Sequence, residues 1–254
     1  MIYIYVTGPA GSGKSTFTYA LQEWMRNNQY EAITVNLDPG VENIPYRPDV
    51  DVRDWYQLQD IMEEYSLGPN GAQILASDLI ASEIDEIREE IVSMDADYAI
   101  IDTPGQLELF AFRTSSDLII RGLSERESYM AFIMDPMLAI SPSGYVSLLT
   151  LSASVFFRFY LPYVNIINKI DLLDDSEIFK IRSWSEDVDT LYMDLRQERQ
   201  SMIKEYALEM FKAMESLGVN FKPLFVSSRD LRGMEDVYSN IQLTYSGGED
   251  LEKR

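Results

Sequence analysis

A lysine and a serine close a glycine-rich run, Gly8-Pro9-Ala10-Gly11-Ser12-Gly13-Lys14-Ser15, at a spacing suited to holding a polyphosphate. The run matches G-x-x-x-x-G-K-[ST] at every fixed position. Its glycines let successive backbone N–H groups turn inward on a phosphate, and the helix expected from Ser15 and Thr16 onward adds its positive N-terminal end. In such a loop Lys14 reaches the β- and γ-phosphates and the Ser15 hydroxyl ligates Mg²⁺. A ligand-free glycine turn is the alternative. The apolar strand Ile2–Val6 before the loop and the helix after it favour nucleotide binding.

The base is a separate choice. The apolar stretch Leu161 to Ile167 ends in Asn168-Lys169-Ile170-Asp171. A carboxylate there can accept from guanine N1–H and the N2 amine, a donor pair that adenine lacks on that edge. By itself N-K-x-D fits equally well a capped loop leading to a surface helix. Behind a phosphate loop it points to GTP and GDP. Between the two motifs lies Asp102-Thr103-Pro104-Gly105-Gln106, preceded by the buried β-rich run Ala99 to Ile101. Asp102 can hold Mg²⁺ through water, and Gly105 has no side chain to obstruct a backbone N–H reaching for a γ-phosphate.

These three sites need a scaffold that brings distant segments to one edge. Strands are expected at Ile2–Val6, Ala32–Leu37, Tyr98–Asp102, Tyr129–Met134, Val164–Ile167 and Pro223–Val226. Helices are expected after Ser15, at Asp54–Tyr65, Ala72–Ser93, Thr114–Leu123 and Pro142–Tyr160, and from near Gly233. Near-continuous apolar strands alternating with helices predict an α/β fold, a doubly wound and mainly parallel sheet of about six strands covered on both faces. Residues 1–245 are expected to form one domain, with an insertion near 54–93, one or two solvated helices near 174–217 carrying no site of their own, and a frayed polar tail at 246–254.

Composition narrows the chemistry. A net charge of −21 argues against nucleic-acid and anionic-membrane surfaces, which need basic patches. The chain has no cysteine, which excludes disulfides and zinc–thiolate sites. It has no histidine, which leaves carboxylates or polarised water for any hydrolysis. The five-residue apolar start without a basic leader predicts no signal peptide, and Arg158 and Pro162 interrupt the longest apolar stretch, so no membrane span and a cytoplasmic protein are expected.

The ensemble resembles the GPN-loop GTPases over residues 1 to about 240. Beyond the three motifs, the resemblance rests on Asn36-Leu37-Asp38-Pro39, Pro45-Tyr46, Asp51-Val52-Arg53, the eponymous Gly68-Pro69-Asn70, Gln106 with Glu108, and Ser141-Pro142-Ser143-Gly144-Tyr145. Gly40 stands where many members have alanine, and the short tail resembles the archaeal form. The resemblance implies a P-loop fold of the signal-recognition and MinD-like class, Mg²⁺-dependent GTP hydrolysis, and a nucleotide-switched homodimer. It makes Asp38 the carboxylate that handles the attacking water. Gln106 and Glu108 would lie beside the γ-phosphate, and Ser227 and Ser228 would line the base. Many relatives in that class send an extra lysine to the partner from the start of the phosphate loop. Pro9 and Ala10 fill that region here, and the resemblance implies that Asn70 reaches the partner's γ-phosphate instead. As an ordinary connector, Asn70 would be only a helix cap.

Eukaryotic members of the family suggest assembly of a complex such as RNA polymerase, with a polymerase subunit as client. The apolar helix Tyr145 to Tyr160 is either a groove for such a partner or a wedge in the core. A P-loop nucleotide or small-molecule kinase is the competing activity, though the chain is poor in the arginines that acceptor and lid segments use.

Overall fold

The computed structural model describes residues 1–123, 127–199, 202–218 and 222–246. The first half runs β1 (Ile2–Thr7), α1 (Lys14–Asn27), β2 (Ala32–Asn36), β3 (Val50–Asp51), α2 (Leu58–Glu64), α3 (Pro69–Ser82), α4 (Ile84–Ser93), β4 (Tyr98–Asp102), α5 (Leu107–Ala111) and α6 (Thr114–Leu123). The second half runs β5 (Ser128–Met134), α7 (Pro136–Ala139), α8 (Pro142–Phe159), β6 (Tyr163–Ile167), α9 (Asp175–Glu186), α10 (Val188–Gln197), α11 (Met202–Ser216), β7 (Leu224–Phe225) and α12 (Met234–Ser246). The strands form one seven-stranded sheet in the order β3-β2-β4-β1-β5-β6-β7, parallel throughout.

Alternation along the central strand builds two cores. Ile2, Ile4 and Val6 of β1 pack with Phe17, Leu21 and Met25 of α1 and with Val237 and Ile241 of α12. Tyr3 and Tyr5 point to the other face, into a larger core with Ile87 of α4, Ile119 of α6 and Leu149 of α8. With both faces covered, all six residues of β1 are buried, as parallel sheets require. Because every strand runs the same way, the segments following β1, β2, β4, β6 and β7 all emerge at one edge, where α/β sheets bind ligands.

Several details depart from the sequence expectation, among them the short helices α5 and α7, which it lacked. The sheet has seven strands, the extra one being β3; two residues are too short to show a period. It is held by polar contacts around it: the Asp49 carboxylate takes the Thr34 N–H at 2.8 Å, and Asn36 Nδ2 donates to Asp51 at 2.9 Å. The helix expected at Asp54–Tyr65 starts only at Leu58, because Val52–Asp54 forms a 3₁₀ turn. The helix expected at Ala72–Ser93 begins at Pro69 and breaks at Glu83 into α3 and α4.

Among its described residues, the stretch expected to hold one or two solvated helices holds three, and they are not merely solvated. Ile181, Trp184, Leu191, Leu195, Phe211 and Met214 are buried in the larger core. Helix α8 is mainly a core wedge, with Leu148, Leu149 and Val155 buried, while Phe157 is half exposed. A groove of about 440 Å³ remains between α8 and α11, lined in part by Leu151, Ile203, Tyr206 and Met210. No helix among the described residues is long and apolar enough to cross a membrane. The expected tail lies, from residue 247 on, outside the described residues.

Candidate nucleotide site

The phosphate loop joins β1 to α1, and close neighbours dictate two of its glycines. Gly8 has φ of +147°, and a Cβ there would sit 2.3 Å from the Ile133 carbonyl oxygen of β5. Gly13, at the N-cap of α1 with φ of +99°, would place a Cβ 2.8 Å from Asn168 Nδ2. Only glycine fits both the backbone angle and the space. Gly11 and Ala10 face outward, and Pro9 is half-buried. The first turn of α1 offers Lys14, Ser15 and Thr16 to a cleft shared with Asp38, Asp102, Gly105 and Lys169.

Lys14 is buried, and its Nζ donates to the carbonyl oxygens of Gly8 (3.0 Å), Pro9 (3.3 Å) and Gly105 (3.1 Å). Burial lowers its pKa, while the Asp102 and Asp38 charges oppose that shift. The ammonium thus bridges the phosphate loop to the loop after β4, where a polyphosphate would supply better acceptors. Ser12 Oγ is buried without a hydrogen-bond partner.

Asn168 ties the base end together. Its Nδ2 points at the carbonyls of Ser12 (3.5 Å) and Gly13 (3.4 Å), and its Oδ1 accepts from the Ser228 hydroxyl at 2.8 Å and the Ser228 backbone N–H at 3.3 Å. The Ser227 hydroxyl donates to Asp171 Oδ1 at 3.1 Å. Lys169, held in a left-handed backbone conformation with φ of +57°, lays its Nζ on the Gly11 carbonyl. Three segments far apart in the sequence are therefore tied together, the phosphate loop, residues 168–171 and the Ser227-Ser228 pair; Lys169 lines the cleft and Asp171 is oriented by Ser227.

At the opposite end the loop after β2 closes on the loop after β4. Asp38 Oδ1 accepts the Gly40 N–H at 2.9 Å, and Oδ2 accepts the Gly105 N–H at 3.0 Å. Asn36 fixes this loop by accepting from the Asp38 N–H (3.0 Å) and donating to its carbonyl (3.1 Å). Arg53 makes a bidentate pair with Asp51 and reaches the Val41 carbonyl at 3.0 Å. The Asn36–Asp51–Arg53 clamp was visible in the sequence only as part of a motif; the side-chain pairing across the loop gives it a job. The same holds for Tyr46, whose hydroxyl donates to Asp102 Oδ2 at 3.0 Å.

Asp102 is buried at the end of β4, and its Oδ1 has no hydrogen-bond partner. Burial pushes this carboxyl up to about 6, against the opposing pull of the Ser15 and Tyr46 hydroxyls and the Lys14 charge. An orphaned buried carboxylate oxygen near a serine hydroxyl fits a hydrated Mg²⁺. Among the described residues no group of three or more acidic side chains could hold a metal by itself, so the remaining ligands would come from phosphate and water.

The structure does not bring every expected residue into the cleft. Gln106, at the N-cap of α5, and Glu108, in its first turn, are exposed and do not line it. Gly68, Pro69 and Asn70 are also exposed. Gly68 is the N-cap of α3 and Pro69 its first residue, so Asn70 is not the helix cap that an ordinary connector would make it. Pro at a first helical position was the signal that could have placed this start. Gln73, one turn further along α3, approaches Gly40: a Cβ there would lie 3.0 Å from its Nε2.

With this geometry, the chain can be set beside known proteins. It matches the family model described as "Conserved hypothetical ATP binding protein" over residues 6–246. It is 32% identical over 239 residues to the GPN-loop GTPase PAB0955 of Pyrococcus abyssi, covering 93% of this chain and 94% of that one. It is 29% identical to GPN-loop GTPase 1 of Dictyostelium discoideum over 95% of this chain, but spans only 61% of that protein's length. The crystal structure of PAB0955, described as a GTPase in apo form, superimposes with a TM-score of 0.85 at 31% identity, covering 97% of this chain and 98% of that one.

Proposed function

This chain belongs to the GPN-loop GTPase family, and we propose that it binds Mg²⁺·GTP, hydrolyses it to GDP and phosphate, and works as a nucleotide-switched homodimer. The observation that carries the reading is Asp171, held by Ser227 at the same sheet edge as Lys14 and linked to it through Asn168 and the phosphate loop. A carboxylate there suits guanine, whatever base the family model's description names. Lys14 and the backbone N–H groups from Gly11 to Ser15 would bind the phosphates. Ser15 would ligate the metal and Asp102 would hold its water, and the bound Mg²⁺ would neutralise charge on the β- and γ-phosphates.

Asp38 lines the cleft and accepts the Gly105 N–H, and without histidine it is the group to orient or deprotonate water. A γ-phosphate would compete with Asp38 for the Gly105 N–H and with three carbonyls for Lys14. Its arrival therefore frees the carboxylate at the moment it is needed. Asn70, outside its own chain's cleft and without a capping task, supports a role toward a second copy. A role in assembling a protein complex such as RNA polymerase, in the cytoplasm, rests on the family alone. The groove between α8 and α11 is where a client segment would fit.

Turnover of GTP and of ATP, measured side by side without any phosphoryl acceptor, tests the activity. GTP should be hydrolysed and ATP spared. ATP consumption that begins only when an acceptor is added would establish a kinase instead.

A further inference from the structure

Asp102 is the carboxylate assigned above to the metal, in a cleft that Asp38 also lines. A buried carboxylate with nothing on either oxygen could rotate about its last side-chain bond and would tend to take up a proton. Here the two oxygens differ. Oδ2 accepts the Tyr46 hydroxyl at 3.0 Å, and Oδ1 is buried without a partner. Tyr46 itself is half-buried at the far end of the loop that begins at Asp38, in the segment leading back to β3. A carboxylate oxygen offers only lone pairs here, so the phenol hydroxyl is the donor of this contact.

We propose that Tyr46 is the positioning residue of the metal site: its hydroxyl fixes Asp102 through Oδ2 and leaves Oδ1 as the acceptor presented to the hydrated Mg²⁺ beside Ser15. A carboxylate has lone pairs enough for both contacts, so the tyrosine need not leave when the metal arrives. The same hydrogen bond joins metal occupancy to the Asp38 loop. The loop's near half is clamped by Asn36 and by Arg53 through Val41, and its far half is pinned by Tyr46 to the carboxylate that the metal engages.

This inference rests on the reading of the site given above, and nucleotide binding as a function of Mg²⁺ separates the two. Fluorescent GDP would be titrated into wild-type and Tyr46→Phe protein in EDTA and at stepped Mg²⁺ concentrations. The substitution removes one hydroxyl and keeps the ring, and a thermal melt of each protein verifies folding. A net hydrogen bond to a charged group corresponds to about tenfold or more in an equilibrium constant. We expect the Mg²⁺ concentration for half-maximal tightening to rise about tenfold in Tyr46→Phe, with the affinity in EDTA within about twofold of wild type. Unchanged Mg²⁺ dependence in Tyr46→Phe overturns the positioning role. Tighter Mg²⁺-dependent binding in Tyr46→Phe also overturns it, and would make Tyr46 a competitor of the metal. A wild-type protein whose GDP affinity ignores Mg²⁺ would instead overturn the metal assignment, and the role of Tyr46 with it.

Discussion

The two ends of the cleft are held in opposite ways. At the base end the contacts already in place are those a bound nucleotide can keep: Ser227 on Asp171, and Ser228 and the phosphate loop on Asn168. At the reacting end the contacts must be exchanged. The Gly105 N–H is taken by Asp38, and Lys14 by three carbonyls. One end is preorganised for recognition, and the other substitutes its own groups for a phosphate. Such a division lets guanine be recognised without commitment, while closure of the reacting end waits for the γ-phosphate.

The largest test of this contrast falls on Asp38. Asp38→Ala should lower kcat by about 10²–10⁴-fold, the range of general-base contributions. GTP affinity should hold or improve, because a competitor for the Gly105 N–H is gone. Steady-state kinetics paired with calorimetry checks both halves. A folded variant that no longer binds Mg²⁺·GTP would show Asp38 to be a metal-shell residue, and its catalytic role should be dropped.

A similarly large loss is expected from Asn70→Ala, which should stay folded and dimeric while hydrolysing GTP poorly, by about 10²-fold if it removes one polar group from the transition state. Mixing it with a Lys14→Ala protein that cannot bind GTP should restore part of the activity. In the mixed dimer the intact Asn70 of one copy faces the intact phosphate loop of the other. A strictly monomeric protein, or proven heterodimers without rescue, would confine both ends of the cleft to a single chain.

The smallest effect is on stability. Asp102→Asn removes a buried charge whose Oδ1 lacks a partner. The ligand-free protein should melt higher by about 2–4 °C, roughly 1 kcal/mol for a chain of this size, and should lose the extra stabilisation that Mg²⁺ gives with nucleotide. A lower melting temperature would mean that Asp102 stabilises the empty fold.

The difference between the ends also tracks what the sequence made legible. The phosphate loop, Asp102 to Gln106 and Asn168 to Asp171 are contiguous motifs in which backbone geometry and one or two side chains suffice, and each strand before them reads from its apolar run. Tyr46, Asn36 and Arg53 act across loops, through partners far away in the sequence, and no period or spacing announces such pairs. Strand β3 is two residues long, and its existence depends on the polar contacts of Asp49 and Asp51. The break at Glu83 escaped because the helical pattern runs on through it. The start of α3 was readable from Pro69, yet a Gly-Pro-Asn run also reads as a plain turn. Burial of Trp184 and Phe211 could not be told from amphipathic periodicity alone, since a charged helix can still cover a core with one stripe.

The central claim is that Asp171 selects guanine at the preorganised end, and an exchange of base tests it most directly. GTP and xanthosine triphosphate would be titrated by calorimetry into wild-type and Asp171→Asn protein. The charge-assisted pair should be worth about 1.5–3 kcal/mol, so the variant should bind GTP roughly 10- to 100-fold more weakly. It should bind xanthosine triphosphate more tightly than wild type does, because the 2-oxo group suits an amide donor. Equal GTP affinity in the two proteins would contradict the assignment.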